Sequence, residues 1–247
     1  MLFVTILAFG AVYWLNNKIM ILYIPIKHNS QRVPNKNYRN FGDEPLYKHT
    51  LLKYGDKKVF VDTDSEGILS GIKADERLRN VNVFLRDKKL IGDKVSVCNL
   101  LEDFIIKYNI KEPIVQTHIT SPFLFKHTIE KAYNLLEKFD SVVSCNKHQT
   151  RFWREEQYGM CPINHNPLKL EQTQDLPVLY EENSCFYIFK PEIMLRTGNR
   201  IGVNPYFFSV EKPENMDIDT EEDWSNCLKE RENNEILLAT NPITSYI

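Results

Sequence analysis

From Met20 onward the chain alternates short apolar runs with stretches of helical period. "IMILYIPI" reads as a buried strand, and a polar loop follows it. Next come a helix near "PLYKHTLLKYG", the strand "KKVFVDTDS", a helix to about Glu76 and the strand "NVNVFLR". Val95, Leu100, Leu101, Phe104, Ile105 and Tyr108 fall roughly on one face of a longer helix. "EPIVQTHITSPF", "KHTIEKAYNLLEKF" and "DSVVSC" repeat the strand–helix–strand rhythm. This alternation predicts an α/β fold with a doubly wound, mostly parallel sheet. Ligands of such sheets bind beyond the carboxyl ends of the strands. Here those ends carry residues 27–37, residues 62–65, Arg86 and residues 118–121.

Residues 146–183 break the rhythm, and their turn signals and aromatics predict an inserted hairpin or small lobe. "CFYIFK" and "PYFFSV" resume it, and "MDIDTEEDW" opens a final helix. Thr220 is the expected N-cap there, with Asp223 at the third helical position, close to a capping box. Past about Asn233 no strong period remains, so the domain is expected over 20–232 and a poorly ordered tail over 233–247. At the other end, "MLFVTILAFGAVYWL" is 15 apolar residues, short of the roughly 17 to 25 that span a bilayer. It has neither a preceding basic residue nor a small-residue cleavage site. Residues 1–19 are therefore expected to be a non-functional extension, with Met20 a sensible start. A membrane anchor through residues 1–15 and a packed helix are the alternatives.

Composition narrows the partners. Lys and Arg total 31 against 33 Asp and Glu in 247 residues, so no global basic field recruits nucleic acid. Any site for a polyanion must be local. Five widely spaced cysteines without a C-x-x-C pair predict reduced thiols and a cytoplasmic setting. The six histidines show no metal-binding spacing. His28, His148 and His165 sit in polar loops and are expected to be solvated, whereas His118 lies beside Thr120 and Ser121 at a strand end. No G-x-S-x-G elbow exists, which argues against an acyl-transfer hydrolase.

Three places could carry chemistry. The loop "IPIKHNSQRVPNKN" presents Lys27, Arg32 and Lys36 among small polar groups. It suits a triphosphate, each close ion pair being worth on the order of 4 kcal/mol before desolvation at a surface-like dielectric. It is neither a P-loop nor a Rossmann G-x-G-x-x-G, and a solvated loop with scattered charges is the equal alternative. Asp217 and Asp219 could share one face of an extended segment and hold Mg²⁺, or could merely precede a helix start that favours negative charge. Asp62 and Asp64 form a second Asp-x-Asp pair, for which a helix start capped by Asp64 or Ser65 is the favoured reading over a metal motif.

Together and in this order, the segments resemble the acylneuraminate cytidylyltransferases, the CMP-sialic acid synthetases. That family opens on I-P-A-R-x-x-S-x-R-x-P-x-K-N; here Ser30, Arg32, Pro34, Lys36 and Asn37 match, and Lys27 stands for the arginine. "FVDTDSE" resembles its V-S-T-D strand end. "LRDKKLIGDKVSV" resembles R-P-x-x-L-A-x-D-x-x-S, carrying over Arg86, Asp93 and Ser96. "THITSPF" resembles Q-P-T-S-P-L with His118 for glutamine, "EENSCFYIFK" the N-G-x-x-Y-I strand, and "MDIDTEEDW" the I-D-I-D-T-x-x-D ending. The likeness spans about residues 20–230.

The resemblance implies a fold of the nucleotide-diphospho-sugar transferase type. It also implies transfer of CMP from CTP to the anomeric hydroxyl of an acidic nine-carbon or related 2-keto sugar, releasing pyrophosphate. Lys27, Arg32 and Lys36 would then grip the triphosphate, with Ser30 and Asn37 as neutral donors. Arg86 and Ser96 would hold the cytosine, and Asp217 and Asp219 the Mg²⁺. His118, Thr120, Ser121 and Asn183 would face the sugar acid, with Arg151 and Gln174 from the lobe. Homodimer formation through the lobe is implied too, with "RFW" and the aromatics near Tyr158 in the interface. No side chain is assigned as general base. Two other classes compete: a GT-A-type glycosyltransferase using Asp62 and Asp64, and a non-catalytic nucleotide-binding relative.

Overall fold

The structure, a computed structural model, describes residues 20–240. Strand β1 (Ile21–Ile26) leads through a loop to a short 3-10 turn at Lys36–Tyr38 and a small hairpin of β2 (Asn40–Phe41) and β3 (Glu44–Pro45). Helix α1 (Leu46–Leu52), β4 (Lys58–Thr63), α2 (Glu66–Lys73) and β5 (Val81–Leu85) follow. Then come α3 (Val97–Lys107), β6 (Ile114–Thr117), α4 (Lys126–Tyr133) and β7 (Ser141–His148). The lobe holds the hairpin β8 (Trp153–Glu156) and β9 (Gly159–Pro162). The chain closes with β10 (Leu179–Phe189), α5 (Pro191–Thr197), β11 (Pro205–Ser209) and α6 (Glu221–Thr240).

The main sheet has seven strands in the order β11-β7-β10-β6-β1-β4-β5. Strand β10 is antiparallel to both β6 and β7, and the remaining pairings are parallel. The mostly parallel sheet expected from the alternation is therefore present. Its strand order turns back at β1, which pairs with β4 on one side and β6 on the other. That is the switch point beyond which ligands of open α/β sheets bind.

Strand β1 shows why the sequence makes a central strand. Leu22, Ile24 and Ile26 pack into one apolar cluster with α1, α2 and α4, while Ile21 and Tyr23 pack into another with α3. Both faces of the pleat are covered, so a continuous apolar run is stable there. A third cluster joins Val33 of the loop after β1 to Phe41, Leu46, Ile218, Trp224 and Cys227. It ties that loop to the segment before α6.

Local signals hold at the helix starts. Ser65 caps α2 by accepting from the Ile68 amide at 3.1 Å. Thr220 Oγ1 accepts from the Asp223 amide at 3.1 Å, and the Asp223 carboxylate accepts from the Thr220 amide at 2.8 Å. The helix they start runs on to Thr240, past the point at which the sequence predicts an unordered tail. The lobe begins later than expected, because β7 and β10 stay paired out to His148 and Leu179. All five cysteines are free thiols. Among the described residues no helix is long and apolar enough to cross a membrane. The expectations for residues 1–19 and 241–247 lie outside the described residues.

Candidate active site

The loop after β1 and the end of β6 enclose a cleft of about 320 Å³ lined by Lys27, Ser30, Arg32, Lys36, Asn37, Asp93, His118 and Thr120, among others. Sequence-distant groups thus meet at the switch point. The loop is held internally: Ser30 Oγ accepts from the Val33 amide at 3.3 Å, and Asn37 Nδ2 donates to the Lys27 carbonyl at 2.5 Å. Asn35 bends the backbone with φ 54°, a left-handed turn that asparagine tolerates.

Residue 218 pins the far wall. Its amide donates to the Thr120 carbonyl at 2.9 Å, and its carbonyl accepts from Lys36 Nζ at 2.5 Å. Asp219 then meets Arg32 at 2.8 Å and Lys36 at 3.6 Å. Burial pushes the Lys36 ammonium pKa down, against the opposing pull of Asp219 and Asp217. Burial raises the Asp217 carboxyl, with Asp219 adding like charge and the Thr120 hydroxyl opposing. Asp217 also lines a neighbouring polar cavity beside Asn146, Asn215 and the start of α6.

Whether Mg²⁺ suits this place depends on the donors. Asp217 and Asp219 offer hard oxygens on one short segment, and the Asp219 charge adds to the burial that raises the Asp217 carboxyl, while Asp219 itself is paired with Arg32 and Lys36. Among the described residues, no group of three or more His, Cys, Asp or Glu is placed to hold a metal. A two-carboxylate set fits Mg²⁺, which completes its shell with water and substrate phosphate oxygens.

Several expected roles are altered by the geometry. Arg86 is buried, and its Nε lies 2.8 Å from Asp62 Oδ1 with both side chains under 5% exposed, at 2% and 4%. Tyr23 Oη donates to the other Asp62 oxygen at 2.5 Å. Arg86 is thus held by Asp62 and does not line the cation cleft, and Asp62 is not a free metal ligand. Asp64 turns elsewhere, accepting from the His28 amide at 2.5 Å. The two carboxylates of that Asp-x-Asp pair serve different partners, against the glycosyltransferase reading. Ser96 caps α3 in a capping box with Asn99 and lines a second cavity, not the cation cleft. Ser121 is buried against the Cys185 thiol and does not face the cleft.

The lobe residues stay within the lobe. Arg151 donates to the Glu171 carbonyl, and Gln174 bonds Gln172 and Gln149. Asn183 donates to Asn146 at 3.0 Å, beside the irregularity in β10 where Ser184 takes φ 59°. None of the three lines the cleft. Nor are the loop histidines simply solvated: His28 contacts Tyr38 at 2.9 Å, His148 contacts Glu181 at 2.8 Å, and His165 packs edge-on to Trp153. Gln116 and Arg200 contact His118's surroundings without having been expected. A glutamine inside the strand run "PIVQTH" was the available signal for the first, and the structure buries it fully. Arg200 sits in a turn with no signature.

Comparison with known proteins bears on the family and the fold. The N-acylneuraminate cytidylyltransferase of Streptococcus agalactiae serotype V is 29% identical over 217 residues, covering 83% of this chain and 51% of that protein. The chain thus spans about half the length of the curated relatives it matches first. The post-translational flagellin modification protein B of Campylobacter coli is 22% identical over 209 residues, covering 79% of this chain and 87% of that protein. Among solved structures, a CMP:2-keto-3-deoxy-manno-octonic acid synthetase complexed with CTP superposes with a TM-score of 0.61 at 10% identity, covering 87% of this chain and 99% of that one. A 4-diphosphocytidyl-2C-methyl-D-erythritol synthase gives 0.60 at 12% identity, covering 86% and 99%. These two establish the shared fold. Residues 21–243 match the sequence profile of the family described as Cytidylyltransferase, and on that match the chain belongs to the cytidylyltransferase family.

Proposed function

We propose that the protein transfers CMP from CTP to the anomeric hydroxyl of a sialic-acid-like 2-keto sugar acid, giving the CMP-sugar and pyrophosphate. The observation that carries this reading is the convergence of Lys27, Arg32 and Lys36 on one cleft at the switch point, next to Asp217 and Asp219. Family membership supports the nucleotide, and the names borne by the streptococcal relatives support an acidic nine-carbon or related sugar.

In this reading the chain's own groups position and neutralise charge, and no covalent enzyme intermediate is needed. Lys27 and Arg32, both solvent-accessible, would take the outer phosphates, and the buried Lys36 would face the departing pyrophosphate. Asp93 now contacts Lys27 at 3.9 Å and Gln31 at 3.2 Å, so triphosphate binding would displace a carboxylate from the loop. Asp217 and Asp219 would hold Mg²⁺, which when bound neutralises phosphate charge and acidifies the attacking hydroxyl. The chain is also proposed to form a homodimer through the lobe, where Tyr158, Leu168 and Leu170 are over 90% exposed at 94%, 96% and 91%.

The test is Asp219→Ala. Loss of a main electrostatic contact should lower turnover at least about 10²-fold. Unchanged turnover by the folded variant would remove Asp219 from the site. Tight CTP binding with no transfer to any acid would favour the non-catalytic alternative.

A further inference from the structure

His118 lines the cation cleft and also a second cavity of about 510 Å³ bounded by Ser96, Glu182, Asn199 and Arg200. Its Nε2 lies 2.8 Å from the side-chain nitrogen of Gln116. Gln116 is fully buried, and its oxygen accepts from the Arg200 guanidinium. Arginine offers donors only, so the amide oxygen must face Arg200 and the NH₂ must face the imidazole. The Thr117 carbonyl, 3.5 Å from the same NH₂, agrees with that orientation. A ring nitrogen that faces an NH₂ must accept, which leaves the proton of a neutral imidazole on Nδ1.

Arg200 is itself held in place. Its guanidinium carbon lies 3.4 Å from the centroid of the Tyr187 ring, and Tyr187 Oη donates to Glu182 at 2.8 Å. The chain from Glu182 through Tyr187, Arg200 and Gln116 therefore ends on His118.

We propose that Gln116 and Arg200 are positioning residues that fix His118 as the neutral Nδ1–H tautomer, a hydrogen-bond donor to an oxygen of the acceptor sugar acid and not a general base. The identity of the acceptor rests on the cytidylyltransferase reading, whereas the tautomer does not. Burial and the nearby Arg200 and Lys36 cations push the His118 pKa down to about 4, with Asp219 opposing, so the ring stays uncharged near neutrality. Glu182, the remaining charged group on the shared cavity, is engaged by Tyr187. A neutral donor recognises a hydroxyl, carbonyl or carboxylate oxygen without adding charge beside the phosphate-gripping cations.

The experiment is long-range ¹H–¹⁵N correlation on the ¹⁵N-histidine full chain at pH 7, with His118→Gln giving the assignment. The wild type should show His118 protonated on Nδ1. Arg200→Met frees the Gln116 amide to turn its oxygen toward the ring, so the Nε2–H tautomer should grow in. Arg200→Lys, which keeps a donor, should retain the wild-type signature. Gln116→Glu should give an imidazolium at pH 7, because its carboxylate accepts from both neighbours. In pyrophosphate release, Gln116→Met should raise KM for the sugar acid about 10-fold, one hydrogen bond's worth, and leave KM for CTP within about twofold. An Nε2–H or charged His118 in the wild type would overturn the proposal, as would an unchanged tautomer in Arg200→Met. So would equal rises in both KM values. Absence of any acid-dependent release would instead count against the cytidylyltransferase reading, and the tautomer would still be decided by the spectra.

Discussion

Replacing Asp62 by alanine should destabilise the protein severely while leaving its metal requirement alone. The side chain lies on β4 between β1 and β5, opposite Pro25 and Phe84. It accepts from Arg86 Nε at 2.8 Å and Tyr23 Oη at 2.5 Å, and the Asp62 carbonyl accepts from Arg86 Nη2 at 3.2 Å. Burial, then the Asp62 charge, raise the Tyr23 phenol pKa well above its usual value, so both partners sit in a dry environment. Removal leaves a cation with 2% of its side chain exposed and no carboxylate beside it. Breaking one side of such a pair costs about 3–5 kcal/mol. For a chain of this size that corresponds to a fall in Tm of roughly 6–20 °C. Urea unfolding followed by circular dichroism measures the loss. The double variant Asp62→Leu/Arg86→Met should recover most of it, since an apolar pair avoids the desolvation penalty. A loss below about 1 kcal/mol would refute the reasoning, because ordinary surface changes stay within about half of that. Normal stability with lost Mg²⁺-dependent turnover would return Asp62 to the metal and revive the glycosyltransferase reading.

Three further outcomes are expected. Arg39 makes two contacts to Glu221, at 2.7 and 2.8 Å, and stacks 4.2 Å from the Trp224 ring centroid, so it anchors the start of α6 to the loop after β1. Arg39→Ala should lower stability by about 1 kcal/mol in urea unfolding, and a neutral result would show that the pairing is ornamental. The His49 and His118 pKa values are both pushed down to about 4, chiefly by burial. Their folded values lie below the unfolded value of about 6.5, so their stabilisation is complete above that pH and is lost as pH falls through 4. The urea midpoint should therefore drop between pH 6.5 and 4, and His49→Phe should flatten part of that drop. Sedimentation should show a dimer at micromolar concentration, and Leu168→Glu/Leu170→Glu should shift it to monomer; an unchanged profile would place the interface elsewhere.

The alternation of strands and helices was readable because both faces of β1, β4 and β6 carry apolar residues and because Ser65 and Thr220 cap the helices that follow them, whereas the cap at Ser96 was not read. The cation loop was readable for a related reason: polar residues crowded at the end of a buried strand have few structural uses. What the pattern could not carry was which charges meet. Asp62 and Arg86 lie 24 positions apart, and only the β4–β5 pairing brings them together and withdraws Arg86 from the cleft. The same holds for Gln116 and Arg200, 84 positions apart. Spacing of two residues predicted a shared face for Asp217 and Asp219, yet Asp219 meets Arg32 and Lys36 while Asp217 turns partly toward another cavity. The lobe residues Arg151 and Gln174 were placed by resemblance alone, and local hydrogen bonds hold them inside the lobe. The end of α6 was missed because its outer turns lack an apolar period.

The cleft at the β1–β6 switch point is proposed to move CMP from CTP to a sugar acid. The most direct measurement is pyrophosphate release by the full chain from CTP and Mg²⁺, with a panel of 2-keto sugar acids offered one at a time. Release is expected with one acid or a narrow group of them, none without acid, and a loss of at least about 10²-fold in Asp219→Ala. Folded protein that shows no CTP binding, or that releases pyrophosphate equally with and without acid, would contradict it.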